Sequence, residues 1–274
     1  DEATIIYTSG TTGAPKGAEH SHRAVVAQGI RFGDRLGLTE GERFWTPLPM
    51  FHVGGWNVLL SAHAKGASFH HVGIFEPEKA LDQLERERIS FAFPAFETIW
   101  MPILTHPRFK EADLSSLKRV INVGVPERMK LMQDMVPQAI QVSCTGMTES
   151  LGFLCLGHWE DSEWSRTHTS GRPLPGMEVR VVDPETGRDQ PPGVPGELIF
   201  RGDMRFLRYH DDPEATSASI DPDGWFHSGD LVKWNEDGTV SFVSRLKDML
   251  KVGGENVAAA EIEGHLLGHP AVHL

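Results

Sequence analysis

The sequence predicts an α/β protein with a mainly parallel sheet, a small antiparallel β-barrel after it, and the start of a C-terminal α+β domain. In the first half of the chain, short runs of β-forming residues alternate with longer helical patterns, as in βαβ units. From about Gly171, short strands are separated by turn-forming residues. A basic, glycine-containing stretch begins at Arg245. We therefore expect three regions, residues 1–168, 169–244 and 245–274.

Each predicted element follows from its own pattern. In the first region, the predicted strands are Thr4–Thr8, Arg43–Pro47, Ala67–Val72, Ile89–Phe93 and Lys118–Val123. The helices predicted between them are Ser21–Leu36, Gly54–Ala64, Pro77–Arg88 and Pro126–Met135. In the second region, the predicted strands are Glu178–Asp183, Gly196–Arg201, Asp230–Asn235 and Thr239–Ser244. A last helix is expected from about Ala258 to Leu267.

Composition excludes several classes of function. The 274 residues carry 26 basic and 38 acidic side chains, a net charge of −12, which disfavours a chain that mainly binds nucleic acid or anionic membrane. No stretch approaches the roughly 18 to 20 apolar residues needed to cross a bilayer. With Cys144 and Cys155 as the only cysteines, a disulfide scaffold is excluded and a reducing, cytoplasmic compartment is expected. We expect Cys144 to be a buried thiol at a strand end.

The clearest motif is a Ser/Thr/Gly-rich loop, Tyr7–Gly17, with the sequence YTSGTTGAPKG. Its hydroxyls and backbone N–H groups can donate hydrogen bonds to phosphate oxygens, and Lys16 supplies a positive charge. We expect it to lie between a strand and a helix, where a helix N-terminus attracts an anion. It is not a Walker A loop, because Pro15 and Gly17 stand where that pattern has Gly and Ser or Thr.

This loop resembles the signature of the adenylate-forming enzymes, the AMP-binding superfamily, and further motifs resemble that family in the same order along the chain. The chain is most similar to acyl-CoA synthetases and fatty-acid–CoA ligases. The resemblance implies ATP, Mg²⁺ and coenzyme A as reactants, and a carboxylic acid as substrate. It assigns phosphate binding to Thr8, Ser9, Gly10, Thr11, Thr12, Gly13 and Lys16.

Four further motifs receive roles from the resemblance. Gly124, Val125 and Pro126 would lie against adenine, although a simple strand-to-helix turn has the same composition. In the segment Thr145-Gly146-Met147-Thr148-Glu149, Thr148 would contact the α-phosphate and Glu149 would bind Mg²⁺. Asp230 would accept hydrogen bonds from both ribose hydroxyls. The hinge segment would contribute Arg245 at the ribose, Lys247 at the hinge, Lys251 for the thioester half-reaction, and Gly253 and Gly254 along the pantetheine path. For Lys251, a basic surface turn remains an equal alternative.

His52 is expected to line the acid pocket near the reacting carboxylate. The resemblance puts Gly54, Gly55 and Trp56 on the helix facing that pocket. No acidic residue follows His52, whereas relatives that activate amino acids typically place an aspartate in this region. We therefore expect an acid without an α-amino group, either fatty, aryl or branched.

The chain departs from the family at Thr145, where the family usually has a tyrosine that stacks on adenine. Loss of such stacking removes on the order of 1 kcal/mol, so we expect weaker ATP binding or a different adenine contact.

The expected function is that of an AMP-forming carboxylate–CoA ligase. One alternative is adenylation with another acceptor, a carrier protein or oxygen as in luciferases. Another is a nucleotide-binding remnant without catalysis. Because the family generally carries a catalytic lysine beyond the hinge, we expect these 274 residues alone to bind nucleotide poorly and to leave adenylation incomplete. The oligomeric state and the individual acid are not predicted.

Overall fold

A seven-stranded sheet forms the centre of the structure, a computed structural model that describes residues 1–8, 15–252, 255–258, 262, 266 and 272. The strands β1 to β16 of this described part are, in chain order, Glu2–Thr8, Lys16–Ser21, Arg43–Thr46, Ser68–His71, Phe91–Phe96, Arg119–Val123, Ile140–Met147, Gly152–Leu156, Arg172–Pro173, Met177–Val182, Gly196–Gly202, Arg208–Tyr209, Phe226–Trp234, Val240–Arg245, Met249–Val252 and Glu255–Ala258. The helices α1 to α7 are His22–Leu36, Val53–Ala64, Pro77–Arg86, Glu97–Leu104, Pro126–Met135, Glu163–His168 and Pro213–Ser219.

The central sheet has the strand order β4-β3-β5-β6-β7-β8-β9. Its strands from β4 to β7 are parallel, and β8 and β9 are antiparallel to their neighbours. Successive side chains point to opposite faces of a strand, so Phe44 and Trp45 of β3 enter two different apolar clusters. Residues of α1 and α2 complete the first cluster, and residues of α3, α4 and α5 complete the second. Helices therefore cover both faces, which explains the nearly continuous apolar sequence of these strands.

Antiparallel pairing dominates outside the central sheet. Strands β10-β11-β13-β14 form one four-stranded sheet, β1-β2-β12 form a three-stranded sheet, and β15-β16 form a hairpin. Strand β12 comes from the segment between β11 and β13 but pairs with β2, near the start of the chain. This pairing connects the second predicted region to the phosphate loop.

The predicted fold class is confirmed, as a mixed α/β structure with a mainly parallel sheet and additional antiparallel sheets. One local prediction is wrong: the phosphate loop is followed by strand β2, and α1 begins only at His22. The helix predicted at about Ala258 to Leu267 lies outside the described residues, apart from Ala258 at the end of β16 and the helical Ile262 and Leu266. Among the described helices, none combines the length and apolarity that crossing a bilayer requires.

Candidate active site

A cavity of about 1190 Å³ opens at the carboxyl edge of the parallel strands. The segments after β3, β5 and β6 contribute to its wall, together with the end of β7, which is where open α/β sheets bind their ligands. Many of the residues predicted from the motifs line this one cavity: Thr8, Lys16, His52, Gly124, Val125, Pro126, Thr145, Gly146, Met147, Thr148, Glu149, Asp230 and Arg245.

The phosphate loop connects the two antiparallel strands of a hairpin. Thr8, the last residue of β1, pairs with Lys16, the first residue of β2. Ser9, Gly10, Thr11, Thr12 and Gly13 lie outside the described residues. Ser21 caps the N-terminus of α1, since its Oγ accepts a 3.1 Å hydrogen bond from Ala24 N.

Glu149 lies on a short 3-10 turn, Thr148–Ser150, directly after β7. The Ser150 hydroxyl fixes this turn, since its Oγ accepts from Met147 N at 3.1 Å and lies 2.9 Å from the Gly152 carbonyl oxygen. Gly146 is required before the turn, because a Cβ there would overlap the Gly152 carbonyl. The motif glycine therefore serves the close approach of β7 and β8.

Tyr209 connects Glu149 to Lys16. The tyrosine hydroxyl donates a 2.7 Å hydrogen bond to Glu149 Oε1, and Lys16 Nζ lies 5.0 Å from the centre of the same ring. Burial, with a further contribution from Glu149, raises the pKa of Tyr209 above its ordinary value, so the phenol remains protonated and is the donor.

Asp230 and Arg245 face each other across β13 and β14. Arg245 Nε lies 3.2 Å from Asp230 Oδ1, but the N–H is not aligned for a hydrogen bond, so this buried oxygen has no donor. Burial raises the pKa of Asp230 to about 6; Arg245 opposes that rise, and Glu149 and Glu197 add to it. Asp230 lines the cavity, and a carboxylate there is suited to accept a ligand hydroxyl.

His52 begins α2 and lies at the cavity wall. Its Nδ1 accepts a 3.0 Å hydrogen bond from Gly54 N, which leaves Nε2 as the protonated nitrogen of the neutral ring. The imidazole is exposed toward the cavity but surrounded by its walls, and this desolvation lowers the pKa of His52. Gly54 lines the cavity, and Trp56, on the same helix, is partly buried and packs against the cluster of Ile6, Ala24, Val53 and Leu151.

The residues of the predicted adenine loop lie at the cavity, whereas Lys247 of the predicted hinge does not. Gly124, Val125 and Pro126 connect the carboxyl end of β6 to α5, with Pro126 in the first helical turn. Thr145 lies on β7 beside the same cavity. Lys247 is exposed on the 3-10 turn Leu246–Asp248 and does not line the cavity.

The other predicted hinge residues are described only in part or not at all. Lys251 lies on the backbone of β15, and its side chain is outside the described part. Gly253 and Gly254 lie outside the described residues altogether.

Glu149 fits the requirements of a magnesium ligand. Its carboxylate is half-buried at the cavity, and Oε1 is occupied by the tyrosine hydroxyl. Among the described residues, no group donates to Oε2. One carboxylate oxygen is sufficient where phosphate oxygens and water complete an octahedral Mg²⁺ site.

Sequence reasoning missed two residues of this site. Tyr209 belongs to none of the quoted motifs, and only its pairing across β12 and β2 brings it to Glu149. Glu197 of β11 is buried at the cavity wall and contacts His227 Nδ1 at 2.9 Å, while its Oε1 accepts from Gly229 N at 3.1 Å. A buried acidic residue inside an otherwise apolar strand was the available signal for Glu197.

Together, the fold and the residues around the cavity are those of the adenylate-forming superfamily. Comparison with known proteins then gives the family: the AMP-binding enzyme family matches residues 1–210, and the chain belongs to it.

Individual relatives agree with this assignment. The chain is 35% identical over 275 residues to feruloyl-CoA synthase of Amycolatopsis sp, covering 99% of this chain and 55% of that protein. It is 33% identical over 274 residues to the medium-chain fatty-acid–CoA ligase of Escherichia coli, covering 99% and 48%. The structure of ATP-bound MatB from Rhodopseudomonas palustris matches with a TM-score of 0.89 at 29% identity, covering 100% and 54%. The chain thus spans about half the length of the relatives that it matches.

Proposed function

We propose that the protein is an AMP-forming carboxylate–CoA ligase. The observation that carries the proposal is the single cavity in which a phosphate-loop lysine, the Thr148–Glu149 turn and the buried Asp230 carboxylate meet an apolar wall. In the proposed reaction, the substrate carboxylate attacks the α-phosphorus of ATP, and pyrophosphate leaves. The CoA thiolate then attacks the acyl carbonyl, and AMP leaves.

The residues at the polar end of the cavity would position and neutralise the polyphosphate. Lys16 would pair with the β- and γ-phosphates, and Thr148 would donate its hydroxyl to the α-phosphate. Glu149 would hold Mg²⁺, which when bound neutralises phosphate charge. Asp230 would accept from the ribose hydroxyls, with Arg245 beside it. His52, neutral and with a proton on Nε2, would face the reacting carboxylate as a hydrogen-bond donor.

The apolar part of the cavity supports an acid with an uncharged, apolar acyl group. Leu48, Val53, Phe93, Ala95 and Phe153 line it, and the Phe93 and Phe153 rings lie 5.1 Å apart. No charged side chain lies within this group, so a second carboxylate on the substrate would be desolvated without a partner. Feruloyl and medium-chain fatty acyl groups, which the names of two relatives specify, have this apolar character.

The test is acid-dependent exchange between ATP and pyrophosphate, followed by AMP release with and without CoA. The assay uses the natural protein that carries these 274 residues, and a panel of fatty, aryl and branched acids together with dicarboxylic acids. We expect exchange with apolar monocarboxylic acids, and AMP release that increases with CoA. Exchange between ATP and pyrophosphate without stimulation of AMP release by CoA would indicate another acyl acceptor. Nucleotide binding without exchange would indicate a nucleotide-binding remnant without catalysis.

Two variants connect that activity to the site. Glu149→Gln is expected to lower exchange by at least about 100-fold, because the polyphosphate loses its metal ligand. Glu236→Gln is the matched control, since Glu236 is exposed and does not line the cavity. Equal activity of the two variants would contradict the proposed metal site.

A further inference from the structure

The Tyr209 side chain contacts two oppositely charged groups of the site. Its hydroxyl donates to Glu149 Oε1 at 2.7 Å, and its ring faces Lys16 Nζ at 5.0 Å from the ring centre. Tyr209 is only 5% exposed, whereas Lys16 and Glu149 are half-buried and line the cavity, so the ring is a fixed part of the wall beside both charges.

The backbone around Tyr209 is held firmly in place. The flanking residues are bound to β2, with Leu207 N donating to Glu19 O and His210 N to Gly17 O, each at 2.7 Å. Phe206 N donates to the backbone oxygen of Glu149 at 2.8 Å. The ring is therefore anchored both to the strand that begins with Lys16 and to the turn that carries Glu149.

Lys16 and Glu149 each have a neutral partner in this arrangement. Among the described side chains, Lys16 forms no ion pair with a carboxylate, and its recorded partner is the tyrosine ring. A cation above a ring face is attracted by the ring quadrupole and retains its full charge. Glu149 has one oxygen bound by the phenol, and among the described residues no group donates to the other.

We propose that Tyr209 is a positioning residue that keeps Lys16 and Glu149 from pairing with each other. The separation leaves the lysine available for phosphate oxygens and the second carboxylate oxygen available for the divalent cation. This inference rests on the proposed function, which assigns those ligands to the two residues. Without the ring, the lysine and the carboxylate would neutralise each other and compete with the bound nucleotide.

Calorimetric titration of the natural protein with ATP, ATP plus Mg²⁺, and AMP tests the proposal. Tyr209→Phe removes the hydroxyl and keeps the ring. We expect about a tenfold weaker apparent affinity for Mg²⁺ in the presence of ATP, because a hydrogen bond to a charged group is lost. The affinities for metal-free ATP and for AMP should stay unchanged. Ser217→Ala, which removes an exposed hydroxyl on α7, is the control without effect.

Tyr209→Leu removes the ring as well. We expect metal-free ATP to bind several-fold more weakly, because Lys16 is then engaged by Glu149. In the double variant Tyr209→Leu/Glu149→Gln the competing charge is gone, so the affinity for metal-free ATP should recover while the effect of Mg²⁺ stays absent. A general structural defect would not be repaired by a second substitution.

The possible results separate the two claims. Unchanged Mg²⁺ affinity in Tyr209→Phe would refute the role of the hydroxyl, and failure of Glu149→Gln to restore ATP affinity would refute the separation. If Tyr209→Leu does not fold, Tyr209→Met, which also removes the ring, takes its place in the same titrations. Absence of Mg²⁺-dependent ATP binding in the unmodified protein would instead refute the proposed function.

Discussion

His20 is a buried histidine that should make the protein less stable in mild acid. It lies on β2 and is 0% exposed. The backbone of Thr148 lies beside the ring but completes no hydrogen bond of normal geometry, and neither ring nitrogen has a hydrogen-bond partner among the residues that the structure describes. Burial therefore dominates and lowers the pKa of His20 from 6.5 to about 4.

The size of this loss of stability follows from the difference between the pKa values of His20 in the unfolded and folded chains. Between pH 6.5 and about 4 the unfolded chain binds a proton on this histidine and the folded chain does not, so the free energy of unfolding falls as the pH falls. At 1.36 kcal/mol per pH unit, the whole window corresponds to about 3 kcal/mol. Between about pH 7 and about pH 5 the loss due to His20 is about 2 kcal/mol.

Urea unfolding of His20→Leu and the unmodified protein at these two pH values measures this loss. We expect the variant to lose about 2 kcal/mol less than the unmodified protein on acidification. The raised pKa of Asp230 acts in the opposite direction, but it is common to both proteins and cancels in the comparison. His63→Leu, at an exposed position on α2, should retain the normal pH dependence. The same acid sensitivity in His20→Leu and the unmodified protein would refute the reasoning.

Three further substitutions test individual features of the site. Asp230→Asn should raise the free energy of unfolding near pH 7 by about 3 kcal/mol, because the buried carboxylate has a pKa of about 6 and its ionisation at pH 7 costs folding free energy. The same variant should bind AMP more weakly. Urea unfolding measures the first effect and calorimetry the second, and a lower free energy of unfolding would contradict the reasoning. Thr145→Tyr should tighten AMP binding about fivefold by restoring an aromatic face, and an unchanged dissociation constant would argue against stacking at this position. Gly146→Ala should lower stability by more than about 3 kcal/mol, because the new methyl group overlaps the Gly152 carbonyl. Gly187→Ala is the control, because Gly187 has a φ of +68° but open space around it, and it should lower the free energy of unfolding by only about 1 kcal/mol. Equal melting temperatures of the two glycine variants would exclude the steric argument.

The parallel sheet was predictable because its strands carry apolar residues on both faces. Phe44 and Trp45, or Phe91 and Ala92, can both be buried only in a strand covered on two sides. Pro77 and Pro126 marked the beginnings of α3 and α5, since proline is favoured in the first turn of a helix.

Strand β2 was not predictable in the same way. Its sequence contains Glu19 and His20, which are polar yet buried. Glu19 Oε1 is hydrogen-bonded to His210 Nδ1 at 2.6 Å, and Oε2 forms an ion pair with Arg208 Nε at 2.8 Å; both partners come from a distant part of the chain. Local propensity carries no information about partners that only tertiary pairing provides. The same pairing brings Tyr209 to the site, which is why that residue was missed.

The hairpin geometry changes how the phosphate charge must be neutralised. A loop between a strand and a helix could use the positive end of the helix, but here β2 intervenes and Ser21 caps α1 with its own hydroxyl. Among the described groups of the hairpin, Lys16 is then the positive charge that faces the cavity. In the proposed function, a cation held at Glu149 would supply further neutralisation. If phosphate binding depends on one lysine and one carboxylate, the two must not pair with each other, and this is the role that we propose for the Tyr209 ring that contacts both.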